Sequence, residues 1–281
     1  MQLKLGLIGF PIKHSLSPWI HNQFLDKSGI KGTYSIMEIS PDDSFEQELE
    51  RMKENGIDGF NVTVPYKKQI INYLDDLDKN AEIIGAVNTV VCKNGKWVGY
   101  NTDGIGYVIA LRNKFPEIFR DKTNRILIIG AGGAAYGIYY GLKSEGFTQI
   151  DIANRTHSSA KAIAILGDNN VETSILTLDE AHESINSYNL IIQTTSVGMK
   201  PNTEDTIIPI KSLNQKSVVS DIIYQPLNTK FLMDAKKTGA SIHYGHTMLL
   251  YQAQYAFELW TNKKMPIDNM DQQLKTILEG R

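Results

Sequence analysis

A single cysteine, Cys92, occurs among 281 residues. No disulfide can close within the chain and no cysteine-based metal cage can be built, which suits a reducing cytoplasm. An excess of one charge is also missing: 29 Lys and Arg face 31 Asp and Glu, for a formal net charge of −2. No overall field therefore draws the chain to nucleic acid or to an anionic membrane. No stretch approaches the roughly 20 apolar residues of a membrane span. The opening MQLKLGLIGFPIKHS holds a short apolar run with no small-residue cleavage site after it, so no signal peptide is expected. Internal repeats, low-complexity tracts and a G-x-S-x-G elbow are absent. The histidines, His243 and His246 among them, lack metal-ligand spacing, so no metal site is expected.

A hydrophobic fraction of 42% with 21% charged residues describes a globular protein, long enough for one large domain or two ordinary ones. Short apolar runs alternate with helical patterns. LKLGLIGF, TYSIMEI and DGFNVTV read as strands. PWIHNQFLDKSG and SFEQELERMKENG read as helices that stop near Gly29 and Gly56, and YKKQIINYL and DLDKNAEII as further helical pieces. Asn94-Gly95 between two β-rich runs marks a hairpin. The polar stretch 113–124 reads as a connection. A second series then runs from RILIIGAGGAA through IDIANRT, NLIIQTT and SVVSDII to the long helix TMLLYQAQYAFELWTNKK. Such alternation predicts an α/β fold with largely parallel sheets.

In the second series, Gly130-Ala131-Gly132-Gly133-Ala134-Ala135 fits G-x-G-x-x-A between a strand and a helix. A pyrophosphate needs a tight turn, a bare backbone where it approaches, and helix N-terminal amides aimed at it. An NAD site usually carries an acid about 20 residues further on for the ribose hydroxyls. Here the next strand ends in Asn154-Arg155-Thr156, with no acid at its tip. A forked guanidinium at Arg155 suits a 2′-phosphate, Thr156 offers a hydroxyl and Lys161 a further charge, so NADP is the expected cofactor.

The first series offers a small anion site. Ser15 and Ser17 alternate in a loop, and their hydroxyls can converge near a helix start; Ser17 before Pro18 can equally be the cap of that helix. Asp103 in YNTDGIG can likewise cap the helix it begins. Tyr224 reads equally as a half-buried tyrosine, and Met248 as core, while Gln252 is polar among apolar neighbours one turn further on. FNVTVPYKKQI places Lys67 and Lys68 just after a strand and Pro65, either as chemistry or as the solvated start of a helix.

Taken in order, GFPIKHSLSP, NVTVPYK, GAVNTV, NTDG, GAGGA, NRT, TTSVGM, DIIYQPLNT and GHTMLLYQA resemble the shikimate dehydrogenase family along nearly the whole chain. The resemblance implies two α/β domains: residues 1–103, completed by 241–281, bind the small molecule shikimate, and a Rossmann-like domain over 104–240 binds NADP. The C-terminal helices would return to the substrate domain. It implies reversible NADPH-dependent reduction of 3-dehydroshikimate to shikimate, within aromatic amino-acid biosynthesis. By matching positions, it implies that Lys67 and Asp103 are the catalytic pair and that Ser15 and Ser17 hold the substrate carboxylate. Thr63, Asn88, Tyr224 and Gln252 would bind the ring hydroxyls or the carboxylate side. Gly130, Ala131, Gly132, Gly133 and Ala134 would hold the pyrophosphate, and Asn154, Arg155 and Thr156 the adenosine phosphate end. Gly245 and Met248 would border the nicotinamide.

The chain departs from the family where GxxMLxxQG is common: it reads GHTMLLYQA, which keeps a small residue at Ala253 and introduces His246. Two alternatives stand beside this reading: a quinate or dual-specificity dehydrogenase using NAD, and a silent sensor of a shikimate-like ligand. The missing acid near Asn154 counts against NAD, and the presence of both Lys67 and Asp103 counts against a silent sensor. Ketone reduction needs a hydride from NADPH and a proton for the developing alkoxide, and a cationic lysine can stabilise that oxygen and deliver the proton.

Overall fold

The computed structural model describes residues 2–280. The chain forms two compact units: one comprises the residues up to Thr102 together with Gln252–Ile267, the other Asp103–Tyr251 with the residues from Asp268 onward. The expected C-terminal return thus carries 252–267 into the first unit, while 241–251 and the last helix stay with the second.

The first unit contains β1 (Leu3–Gly9), α1 (Ser17–Ser28), β2 (Gly32–Glu38), α2 (Phe45–Glu54), β3 (Gly59–Val62), β4 (Asp76–Leu77), α3 (Lys79–Ile84), β5 (Thr89–Lys93) and β6 (Lys96–Tyr100). Its sheet has the order β2-β1-β3-β5-β6-β4. The first three strands are parallel, whereas β5 runs antiparallel to both β3 and β6. The Asn94-Gly95 hairpin is present, with both residues at positive φ (53° and 76°), the geometry that matches a two-residue turn to strand twist. In α2, Ser44 caps the helix by accepting from the Gln47 amide, and Phe45, Leu49 and Met52 turn one face into a core shared with Phe60 and Trp97. Each such fully buried side chain stabilises the unit by roughly 1.5–3 kcal/mol.

YKKQIINYL was expected to be helical but forms only a 3-10 turn over Gln69–Tyr73. Ile70 is fully buried there, but Leu74 is already extended, and the following Asp76–Leu77 joins the sheet beside β6. Two adjacent β-branched residues give the short segment little helix propensity with which to resist that pairing. DLDKNAEII is correspondingly split. Its first residues belong to β4, and Asp78 caps α3 through the Asn80 and Ala81 amides.

The second unit contains α4 (Asp103–Lys114), β7 (Ile126–Ile129), α5 (Gly133–Ser144), β8 (Ile150–Ala153), α6 (His157–Ala164), β9 (Ile175–Leu176), α7 (Leu178–Ser184), β10 (Leu190–Gln193), β11 (Val218–Asp221), α8 (Lys230–Lys237), β12 (Ser241–His243), the start of α9 (Gly245–Thr261) and α10 (Met270–Glu279). Its sheet is wholly parallel, in the order β12-β11-β10-β7-β8-β9. Along β7, Ile126 and Ile128 enter the core cluster with α4 and α5, while Leu127 and Ile129 enter the opposite cluster with Ala181 and Leu232. Both faces are covered, so the strands read as continuous apolar runs. The strand order reverses between β7 and β10, the switch point where such sheets receive ligands at their C-terminal ends.

Candidate active site

In the first unit, a set of polar side chains begins at the start of α1. Leu16, not Ser17, occupies the cap position of this helix, and no side-chain cap bond forms. Ser15 Oγ instead accepts from the Ser17 amide and donates to Ser17 Oγ, both at 3.2 Å. The two hydroxyls therefore stand together at the positive end of a 12-residue helix, where a carboxylate is favoured. Burial pushes the Tyr34 phenol above its usual range, with the Ser17 hydroxyl opposing that rise. The phenol remains a donor, and it donates to Asn61 Oδ1 at 2.7 Å.

Asn61 Nδ2 donates onward to the Asn88 carbonyl at 3.2 Å and to Thr89 Oγ1 at 3.0 Å. Asn88 Nδ2 donates to Thr102 Oγ1 at 2.9 Å, and the Thr102 amide donates back to Asn88 Oδ1 at 2.8 Å. Thr102 Oγ1 then reaches Gln252 Oε1 on α9 at 3.4 Å. Asn88 and Gln252 thus lie on one hydrogen-bonded path with Tyr34, Asn61, Thr89 and Thr102, links that the sequence does not mark as site residues, and the Ser15–Ser17 pair adjoins that path beside Tyr34. One signal was available: Asn61 is a polar residue inside the fully buried strand GFNV, and a buried amide needs partners.

The two lysines differ in setting. The Tyr66 amide donates to the Thr63 carbonyl at 2.9 Å, closing a tight turn after β3. Tyr66 anchors that turn, because its hydroxyl donates to the Ile39 carbonyl at 2.8 Å and its ring stacks on Phe45 at 4.5 Å. The Lys67 carbonyl accepts from the Val87 amide at 2.8 Å. Lys67 is half-buried, whereas Lys68 is exposed, its carbonyl accepting from the Ile71 amide at 3.4 Å at the start of the 3-10 turn. Thr63 is half-buried, and its amide donates to the Ile8 carbonyl at 2.9 Å.

The second unit carries the glycine turn. Gly130 has φ of +111°, and a Cβ there would meet Thr194 Oγ1 and Thr195 Cγ2, so a side chain is excluded on both counts. Gly132 occupies the cap position of α5 and, like Gly133, is exposed, with open space where a Cβ would be. Bare amides at the start of a 12-residue helix are a fit for a pyrophosphate. Ala131 and Ala134 are half-buried in the same turn. At the end of β8, Arg155 and Thr156 are exposed, and Asn154 Nδ2 donates to the Thr156 carbonyl at 2.8 Å, shaping the turn. The acid within that strand, Asp151, is committed elsewhere: it accepts from Arg125 (3.1 Å), Tyr188 (2.8 Å) and the Ser174 amide (2.8 Å). The tip of β8 therefore presents a guanidinium and no free carboxylate, which fits a 2′-phosphate.

Asp103 is the first residue of α4. The next residue, Gly104, packs so tightly on α5 that a Cβ would run into the Gly137 carbonyl. The position of Asp103 is thereby tied to the helix that follows the glycine turn. Tyr224 helps line a cavity of about 530 Å³ at the C-terminal ends of β10 and β11, together with Thr194, Met199 and Ile222. At Gly245, a Cβ would collide with the Ile222 and Ile223 carbonyls, so glycine is required where α9 starts against the Tyr224 loop. Met248 packs against the α4–α5 core. The buried His246 faces Asp271 on α10, Nε2 to Oδ1 at 2.9 Å. No cluster of three His, Cys, Asp or Glu side chains among the described residues is placed to hold a metal ion.

Comparison with known proteins covers the whole chain. Residues 7–90 match the shikimate dehydrogenase substrate binding domain, residues 112–224 the shikimate / quinate 5-dehydrogenase family, and residues 245–275 the shikimate 5'-dehydrogenase C-terminal domain. A shikimate dehydrogenase (NADP(+)) of Oceanobacillus iheyensis is 51% identical over 281 residues, 100% of each chain. Among solved structures, a shikimate dehydrogenase in complex with NADP+ superposes with a TM-score of 0.89 at 37% identity, covering 99% of this chain and 96% of the other. The shikimate 5-dehydrogenase of Listeria monocytogenes, in complex with shikimate and NAD, gives a TM-score of 0.88 at 33% identity, with 97% and 96% covered.

Proposed function

The chain belongs to the shikimate dehydrogenase family, and on that premise we propose that it catalyses the reversible NADPH-dependent reduction of 3-dehydroshikimate to shikimate, in aromatic amino-acid biosynthesis. The observation that supports this most is the hydroxyl and amide array from Ser15 to Gln252. A polyhydroxylated ring carrying one carboxylate needs many neutral donors and acceptors and one site for an anion. The array supplies both, with the anion site at the start of α1.

On this reading the first unit binds the substrate, Ser15 and Ser17 taking its carboxylate, while Asn88, Gln252 and Thr63 take ring hydroxyls. The second unit binds NADP: residues 130–134 hold the pyrophosphate, Asn154, Arg155 and Thr156 the 2′-phosphate end, and Gly245 and Met248 border the nicotinamide. Tyr224 adds a contact to the substrate. When bound, the nicotinamide supplies or accepts the hydride. Lys67 and Asp103 share the proton work. In reduction, the Lys67 ammonium stabilises the negative charge gathering on the carbonyl oxygen and gives it a proton, and in oxidation the neutral amine takes the hydroxyl proton back. No helix among the described residues is long and apolar enough to cross a membrane, and we place the enzyme in the cytoplasm with its soluble substrate.

Initial rates of nicotinamide absorbance change, with shikimate and quinate crossed against NADP and NAD, test the proposal. The shikimate–NADP pair should be the fastest. A faster rate with quinate, or with NAD, would overturn the substrate or the cofactor assignment respectively.

A further inference from the structure

Asp221 ends β11 and is completely buried, with no cation paired to it among the described residues. An unpaired carboxylate inside a protein is strongly disfavoured unless donors surround it. Three do. The Ile223 amide reaches Oδ1 at 2.9 Å, the Thr229 hydroxyl reaches Oδ2 at 2.7 Å, and Gln193 Nε2 reaches Oδ1 at 3.4 Å. Gln193 extends the network: its Nε2 also donates to the Val197 carbonyl at 3.1 Å, and its Oε1 accepts from the Thr195 amide. The Thr229 hydroxyl in turn caps α8 through the Leu232 amide.

These bonds join two loops that line the same cavity. Thr194, Thr195, Ser196, Met199 and Lys200 come from one loop, and residues 222–225, including Tyr224, from the other. We propose that Asp221 is a positioning residue for the reaction, locking the 194–200 and 222–225 loops together so that Tyr224 is presented to the substrate in one orientation. The inference rests on the reading of Tyr224 as a substrate contact. A carboxylate suits the place because all three partners are donors, and an asparagine would turn its NH2 group toward at least one of them. Burial pushes the Asp221 carboxyl up to about 7, with the Ile223, Thr229 and Gln193 donors opposing the rise. Perturbed carboxyls cluster at functional sites, and Asp221 directly precedes the cavity-lining residues 222–225.

The test is a double-mutant cycle on kcat and KM for shikimate at saturating NADP, using Asp221→Asn, Tyr224→Phe and the double variant, each checked for a cooperative melt. Asp221→Asn should lower kcat/KM by about tenfold in the wild-type background and by no more than about twofold in the Tyr224→Phe background. A framework role predicts equal losses in both backgrounds, and that result would overturn the inference while leaving Tyr224 as a substrate contact. Wild-type kinetics in Tyr224→Phe itself would overturn both. Should Asp221→Asn not fold, Thr229→Val removes one of the three donors and is read in the same cycle, with Thr229→Ser restoring the donor and the rate. Equal rates in the valine and serine variants would also count against the lock.

Discussion

Acidification should weaken the first unit through one residue. His21, on α1, is fully buried, stacked on Tyr34 at 4.3 Å and packed against Trp260 at 5.1 Å, and neither ring nitrogen makes a well-formed hydrogen bond. Burial lowers its pKa from 6.5 to about 3, with the Asn61 side chain opposing. The folded value is depressed, so the unfolded chain takes up this proton first. The stabilising contribution is present above pH 6.5 and is lost as pH falls toward 3. Between pH 7 and pH 5 the unfolded imidazole becomes almost fully protonated while the folded one stays neutral, a loss of about 2 kcal/mol.

The second unit contains two opposed groups. His243 is also pushed down to about 3, chiefly by burial, and loses a similar amount. Asp221, raised to about 7, gains a proton in the folded state over the same interval, which favours folding by about 2 kcal/mol and offsets that loss. All three tryptophans, Trp19, Trp97 and Trp260, belong to the first unit, so the tryptophan fluorescence followed during urea unfolding comes from that unit. His21→Phe keeps an aromatic ring in the stack and removes the titration. Whatever its stability at pH 7, its drop between pH 7 and pH 5 should be smaller than that of the wild type by about 2 kcal/mol. An unchanged drop would refute the reasoning.

Arg155→Ala should weaken NADP by roughly 1.5–3 kcal/mol, the worth of a charge-assisted contact, and leave NAD nearly unaffected; equal losses for the two cofactors, read from their KM values, would contradict the 2′-phosphate assignment. Ser15→Ala should raise the KM for shikimate without changing that for NADP, and unaltered shikimate kinetics would remove Ser15 from the anion site. Gly104→Ala should lower stability by about 1–3 kcal/mol through overpacking against the Gly137 carbonyl, and a melt identical to the wild type would show that α4 and α5 have room there.

Much of the fold was legible because its signals are local. The Asn94-Gly95 turn, the β7–α5 glycine motif and the buried runs ILII and LIIQ each announce their structure within a few residues. YKKQIINYL was not legible as a turn, since its fate depends on the sheet edge that receives Asp76 and Leu77. The candidate site divides in the same way. Gly130 and Arg155 follow from a contiguous motif. Tyr34, Asn61 and Thr102 do not, because their partners lie 27 residues (Tyr34 to Asn61) and 14 residues (Asn88 to Thr102) away in sequence and only the hydrogen bonds reveal the path. Nothing local to NTDG marks Gly104, because its meaning lies in Gly137 on another helix.

The lysine pair puts the catalytic assignment to the most direct test. Shikimate-dependent NADPH formation should be measured for Lys67→Ala beside Lys68→Ala, both folded and both binding NADP normally. Lys67→Ala should lower turnover by about 10²-fold or more, the scale of a positioned acid–base group, while Lys68→Ala should match the wild type. Near-normal turnover in Lys67→Ala, or equal damage in both variants, would contradict the assignment of the proton to Lys67.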